Sequence, residues 1–410
     1  MSWAFWLWIG LSIVGALLLL CPSLLAQPAP ASASKPGNRA ESKPTVLILP
    51  FENLSKAPGL EWVGESFPEV LGQRLAGARP RITTREERLR AFDRAGVPAT
   101  SYPSRALVFL IAEQLDVDYV VLGTYDFNGQ TFTAACQQLD MKREHLSPRM
   151  VESGPLPKLV DVQTALAWDL LRLNDSGLIT SRDGFVAAAA PIRLDALENY
   201  TRGVIAATPA DRIKYFREAL RLNPDYLEAQ LALGEAYVGS KQFDLGETTL
   251  SKIPESSPLA KKAEFLEGLS ALQAGRLEKA ESWYSDLVAR EPSPEGYNNL
   301  GVTRARRGEA SALESLRKAS ETDPDDADYR FNLAVELFRK GDAAASTREL
   351  RKFLEAVPSD AEGKALMESL VAASDPKYSA SAPAPKLPPL RVKSLYAGNR
   401  VEAGEAGGKP

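Results

Sequence analysis

Pro224–Pro258, PDYLEAQLALGEAYVGSKQFDLGETTLSKIPESSP, is one complete unit of a pattern that recurs along the back half of the chain. The closing proline returns as Pro292, Pro324 and Pro358, so the gaps from Pro224 onward are 34, 34, 32 and 34 residues. A period of this size marks a helix-turn-helix unit copied in tandem, because each copy must turn at the same place. Within each unit a small residue sits where the two helices cross: Gly234, Gly268, Gly301 and Ala334. A turn residue follows seven positions later, as Lys241, Gly275, Gly308 and Gly341. The second helices carry Leu250 and Ile253, Tyr284 and Leu287, Leu316 and Ala319, then Leu350 and Phe353. An earlier, degenerate unit runs from Leu197 through Gly203 to Phe216, Ala219 and Pro224. The shortened third unit reads as having lost a residue from the Gly308 turn.

Small residues let paired helices approach closely, while Leu, Tyr and Phe fill the space between neighbouring pairs. One pair cannot bury its apolar face alone, so stacking stabilises the array and its ends need caps. Residues 361–373, with Leu366, Met367 and Leu370 on one face, read as the carboxyl-terminal cap.

This register resembles the tetratricopeptide repeat (TPR) family. The matching residues are Leu233-Gly234, Tyr237, Leu250 and Pro258, then Gly268, Ala280, Tyr284 and Pro292, then Leu300-Gly301, Ala312, Leu316, Ala319 and Pro324. The resemblance covers residues 196–373 and implies an all-α solenoid that binds a partner protein or peptide. Transferring the family's groove positions by the small landmark selects Leu231, Glu235, Phe265, Leu269, Leu272, Asn298, Val302, Phe331, Val335 and Phe338. An apolar groove of this kind would take a peptide by burying a few anchors. The competing reading buries the same side chains as ordinary core. Phe265 and Leu269 occupy two positions of the lysine-asparagine clamp that some members use, so that clamp is not expected.

The front of the chain alternates strands and helices. Residues 45–49 form a short apolar run bounded by prolines, the pattern of a buried strand. A helix follows over 60–76, with Val63, Phe67, Val70, Leu71 and Leu75 on one face. A strand over 81–84 and helices over 85–95 and 104–115 come next. The strand 118–125 turns at Asn128-Gly129 into 131–139, and a strand at 149–153 and a helix at 159–173 close the domain. Val46 to Asn53, Trp62 to Glu65 and Ala112 to Tyr125 are similar to the TolB amino-terminal and FlgO-like group. That resemblance implies an interaction module without a catalytic centre. The expected fold class is α+β overall: a small α/β domain at 45–178, then the all-α array at 196–373.

Residues 1–26 are uncharged and mostly apolar, as in a signal peptide or an uncleaved membrane anchor. Leu20 is large for the position before a lipidated cysteine at Cys21. The Pro/Ala/Ser-rich stretch 27–44 reads as a disordered tether to an exported, periplasmic body of a bacterial envelope protein. Lys35, Arg39 and Lys43 after the apolar segment leave open an anchored cytoplasmic body. The tail 374–410, rich in Ala, Pro and Gly, reads as disordered. Net charge is −4, but the linker is +2 and the tail +3, leaving about −9 on the folded body. An acidic body argues against nucleic-acid partners.

No motif for catalysis emerges. His145 is the single histidine, and Cys21 and Cys136 are the two cysteines, so His-based triads, thiol-histidine dyads and cysteine-rich metal sites are not expected. No metal or cofactor is expected. The carboxylates Asp323, Asp325, Asp326 and Asp328 read as a turn and helix cap between repeats. The leading expectation is a non-enzymatic scaffold tied to the membrane by its amino-terminal segment. The alternative is an enzyme accessory or hydrolase with a polar pocket near Glu52, Asn53 and Tyr125. The oligomeric state is not readable from the sequence.

Overall fold

The computed structural model describes residues 43–55, 57–76, 80–99, 102–175, 177, 179–374, 387–394 and 397–401. The apolar segment 1–26 and all but two residues of the linker lie outside the described residues. Among the described residues no helix is long and apolar enough to cross a membrane.

The front domain is a mixed sheet flanked by helices. Its strands are β1 (Thr45–Ile48), β2 (Glu52–Asn53), β3 (Arg81–Ile82), β4 (Tyr119–Phe127), β5 (Thr131–Asp140), β6 (His145–Leu146) and β7 (Met150–Pro155). β1 lies parallel between β3 and β4, and β4, β5 and β7 continue antiparallel. The central strand β1 buries Val46, Leu47 and Ile48, as an apolar run covered on both faces should. The helices are α1 (Val63–Ala76), α2 (Arg85–Arg94), α3 (Arg105–Gln114) and α4 (Leu159–Asn174). Thr84 and Glu87 form a reciprocal capping box that starts α2. Phe51 stacks on Phe67 at 3.8 Å, and Tyr125 and Phe132 continue the aromatic column. Gly123 is required here, because a Cβ would sit 2.3 Å from the Phe51 ring. The two-residue strands β2 and β6 are too short to leave a periodic signal in the sequence.

After a short helix α5 (Arg182–Ala188), five helix pairs and a final helix follow at the expected register. The pairs are α6 (Leu194–Ile205) with α7 (Pro209–Leu222), α8 (Leu227–Gly239) with α9 (Phe243–Leu250), and α10 (Ala260–Gln273) with α11 (Leu277–Arg290). Then come α12 (Pro294–Arg306) with α13 (Ala312–Thr322), α14 (Ala327–Arg339) with α15 (Ala343–Ala356), and a final α16 (Ala361–Ser374). The crossing rule is visible at Gly301, where a Cβ would lie 2.6 Å from Leu316 Cγ, and at Gly203, where it would lie 2.5 Å from the Phe216 ring. The turn residue is left-handed in all four copies, with φ of 59° at Lys241, 75° at Gly275, 78° at Gly308 and 86° at Gly341.

One expectation is corrected. The Gly308 turn keeps its left-handed form, so it has lost nothing. The shortening is taken instead by α13, which begins four residues after Gly308 and is 11 residues long, against 14 in α11 and α15. A left-handed turn has little tolerance for deletion, whereas a helix can start two residues late.

A second correction concerns the tail, read from sequence as disordered throughout. Residues 387–394 lie extended against the array, with Leu390 and Val392 at 4% and 1% exposure inside its apolar cluster. β8 (Val392–Ser394) pairs antiparallel with β9 (Ala397–Val401). Composition marks this stretch as a poor core former, but it folds onto a surface supplied by other residues.

Candidate functional site

Two apolar clusters organise the array, and they divide it unequally. One runs from the front domain (Phe67, Val70, Leu71, Leu166, Leu170) straight into the first repeats (Tyr200, Phe216, Tyr226, Ala229, Leu233, Tyr237). Tyr200 lies 5.8 Å from Phe216 and 5.0 Å from Tyr226, ring to ring. Its hydroxyl donates to Glu69 Oε2 of α1 at 2.7 Å. Burial pushes the Glu69 carboxyl above the usual carboxylate range. The first helix pair is thus fused to the front domain. Beside the junction, a cleft of about 540 Å³ is lined by Arg85, Glu86 and Arg88 on one side and Arg212, Glu235 and Lys262 on the other.

The second cluster runs from α8 to α16 and includes the tail residues Leu390 and Val392. There the helices α12 and α14 present three asparagines, each fully buried: Asn298, Asn299 and Asn332. Asn332 brackets residue 391: its Nδ2 donates to Arg391 O at 2.8 Å, and its Oδ1 accepts from Arg391 N at 2.7 Å. Asn299 does the same one residue pair further on, donating to Lys393 O at 2.8 Å and accepting from Lys393 N at 2.9 Å. Asn298 Nδ2 also donates to Arg391 O at 2.9 Å, while its Oδ1 accepts from Asn332 at 2.7 Å. The paired amides imitate a neighbouring β-strand, which requires an extended chain whose residues i and i+2 face the helices. Residues 391 and 393 meet that requirement.

The same two residues place their side chains among carboxylates and rings. The Arg391 guanidinium lies 3.6 Å over the Phe331 ring and 4.9 Å from that of Phe353. It donates to Asp328 Oδ1 at 2.6 Å, to both oxygens of Asp360 at 2.9 Å, and to Glu362 at 3.0 Å. Lys393 Nζ reaches Asp326 at 2.7 Å and Asp328 at 2.8 Å, with the Tyr329 ring 5.3 Å away. Both cations are almost completely enclosed, at 5% and 1% exposure. Planar stacking on Phe331, with Nη1 reaching Asp328 while Nη2 reaches Asp360, suits a guanidinium better than an ammonium.

The groove residues expected from sequence scatter across this picture. Asn298 and Phe331 touch the tail directly. Leu231, Phe265, Leu269, Leu272, Val302 and Val335 are buried in the array's apolar cluster, and Phe338 packs half-buried against it. Glu235 is half-exposed and pairs with Lys262 at 3.1 Å, facing the front-domain cleft. The residues that sequence reasoning missed are Asn299 and Asn332, each two positions before its small landmark, Gly301 or Ala334. Their signal was present: an amide at the same register in two consecutive units, in mid-helix, where asparagine has low propensity. The carboxylates Asp326 and Asp328 were read as a turn and cap. Asp326 does cap α14, accepting from Asp328 N at 3.0 Å, but both also hold the tail's cations.

Elsewhere the chemistry is muted. Burial pushes the Cys136 thiol up to about 12, and Asp169 adds to the shift, so it is no thiolate near neutral pH. His145 is exposed on the edge strand β6. Tyr125 is 1% exposed and donates its hydroxyl to Leu60 O at 2.7 Å, so it does not line a polar pocket. A cleft of about 360 Å³ opens beside it, lined by Glu52, Thr124, Arg105 and Arg149. In α10, burial raises Glu267 to about 7, with Glu247 contributing.

Residues 209–263, and residues 242–296 and 304–361, match family models described as tetratricopeptide repeat. Among solved structures, MamA (residues 41 to the end) from Desulfovibrio magneticus RS-1 is 19% identical, with a TM-score of 0.38 over 42% of this chain and 99% of that one. YrrB, described as a TPR protein with an unusual peptide-binding site, is 16% identical, with a TM-score of 0.33 over 40% of this chain and 88% of its own. The LpoB carboxyl-terminal domain from Salmonella enterica is 11% identical, with a TM-score of 0.25 over 29% and 87%. No curated protein matches the chain. The helix pairs over residues 209–296 and 304–361 carry the tetratricopeptide repeat pattern of those models.

Proposed function

We propose that this protein is a non-enzymatic scaffold of the bacterial cell envelope whose repeat array holds an extended segment of a partner protein. The observation that carries this reading is the bracketing of two backbone units by Asn299 and Asn332. Buried amides aimed at main-chain N–H and C=O groups recognise an extended peptide whatever its side chains, which is a binding function and not a catalytic one. The front domain, similar to the TolB amino-terminal and FlgO-like group, serves as a second interaction module fused to the first repeats. The uncharged residues 1–26 and the Pro/Ala/Ser-rich tether support an exported or anchored body facing the periplasm. Against the hydrolase reading stands Tyr125, whose hydroxyl is spent on Leu60 inside a filled aromatic column.

The test is site-specific photocrosslinking in the cells that make the protein, from probes at Tyr297 on α12 and Arg330 on α14. Crosslinks to a second protein that vanish in Asn299→Ala/Asn332→Ala support the reading. Crosslinks that persist in that variant place the partner on another surface. A topology reporter fused after Pro44 decides the side of the membrane: activity in the cytoplasm alone rules out a periplasmic body.

A further inference from the structure

Four carboxylates, Asp326, Asp328, Asp360 and Glu362, converge on the space filled by Arg391 and Lys393. They come from the start of α14 and the start of the capping helix α16, so the array itself builds the pocket. Without a cation this cluster is self-repelling, and two aromatic faces, Phe331 and Tyr329, are aimed into it. The site therefore demands a basic occupant, and the spacing of Asn332 and Asn299 demands that its two cations stand at i and i+2 of an extended strand.

We infer that the tail segment Leu390–Lys393 is an internal occupant of the partner site, and that the partner is a protein segment carrying Arg-x-Lys, with an apolar residue between, which binds by displacing it. This rests on the peptide-binding reading above and adds the ligand's chemistry and the competition. Three features make the tail exchangeable. Its grip is mainly polar, and a buried ion pair gains little over the solvated ions it replaces. Arg391 Nε is buried without an acceptor, so even the native occupant is imperfectly satisfied. Among its described residues the tail contributes only Leu390 and Val392 as fully enclosed apolar anchors. Tethering compensates, since an attached segment acts at an effective concentration near millimolar. A free ligand of the same sequence should meet a site already closed.

The experiment uses a fluorescent peptide of residues 387–394, LPPLRVKS, and reads anisotropy against three proteins. These are the full chain, the full chain with Arg391→Ala/Lys393→Ala, and the chain ended after Lys386. The expected result is binding at least about tenfold tighter to the double variant and to the shortened chain than to the full chain. Asp328→Asn in the double-variant background should abolish it, and a peptide with both cations changed to glutamate should not bind. Equal affinity for the full chain and the double variant overturns the inference. Light scattering distinguishes the remaining case: a dimer of the full chain that dissociates in the double variant assigns the tail to a second copy and overturns internal closure. If the peptide fails to bind the double variant while the groove crosslinks persist and stay asparagine-dependent, the tail inference falls and the scaffold reading stands. Absence of crosslinks from the protein with both asparagines intact instead removes the scaffold reading.

Discussion

At the amino-terminal end of the array, Tyr200, Phe216 and Tyr226 meet the front domain through rings and methyl groups. At the carboxyl-terminal end, Asn299, Asn332 and Asp328 meet the tail through amides and carboxylates. Both contacts bury what they touch, yet their energetics differ. Fully burying one large apolar side chain gains about 1.5–3 kcal/mol, and several act together at the front-domain junction. A hydrogen bond exchanged with water gains only about 1 kcal/mol, and a buried ion pair gains close to nothing net. The first end is suited to permanent fusion and the second to exchange. The same repeat scaffold thus meets the front domain through an apolar seam at one end and the tail through a polar one at the other.

The comparison can be broken most easily at the apolar end. Phe216→Ala should cost about 3–5 kcal/mol, because it empties the space against Gly203 and Tyr200. Urea denaturation should show the front domain and first repeats losing cooperativity together. Two separate, unshifted transitions would mean the junction is not shared. Between the two ends, Glu267 offers a pH test. Its folded pKa of about 7 lies above the ordinary 4.5, so the unfolded chain gives up this proton first as pH rises. The stability it confers is complete below about 4.5 and is lost as pH climbs to about 7. Glu267→Gln should flatten that slope and stabilise the protein at pH 8 by about 1–3 kcal/mol, read from thermal melts at pH 5 and pH 8.

At the polar end the expected effect is smaller and more local. Asn332→Ala leaves the Arg391 N–H without its acceptor, while the carbonyl keeps Asn298, at a cost of about 1–3 kcal/mol. Hydrogen exchange at residues 391 and 393 should speed up while the amides of α6 to α8 keep their protection; faster exchange there would erase the difference between the ends. The smallest effect belongs to Lys241, a non-glycine residue at φ 59° where the other copies have glycine. Lys241→Gly should raise stability by about 0.5 kcal/mol, the left-handed strain outweighing the added chain entropy.

The legible features were those carried by short-range rules. Gly301 opposite Leu316 and the positive-φ turn at Gly308 follow from helix pairing alone, and both appear where the period puts them. In the front domain, the long strands β4 and β5 and the helices α1 and α4 announce themselves through periodicity. The two-residue strands β2 and β6 do not. The candidate site was half-legible. Asn298 and Phe331 came from the family register, but Asn299 and Asn332 sit one position along the helix from it. Most transferred groove positions turned out to line the apolar cluster, because a closely stacked array uses the same helix face for packing and for binding. Glu235 faces the front domain instead, a neighbour no repeat rule can foresee.

By itself, then, the sequence determined the repeat, its turns, the helix-crossing residues and an acidic body with a basic tail, since each depends on residues a few positions apart or on composition. Only the tertiary structure decided which end of the array is sealed by the front domain and which is filled by residues 390–393. Those pairings join Asp328 to Arg391 and Asn299 to Lys393 across 63 and 94 residues. A carboxylate and a guanidinium look the same in sequence whether solvated or paired. Only the fold, by removing water around them, makes one choose the other.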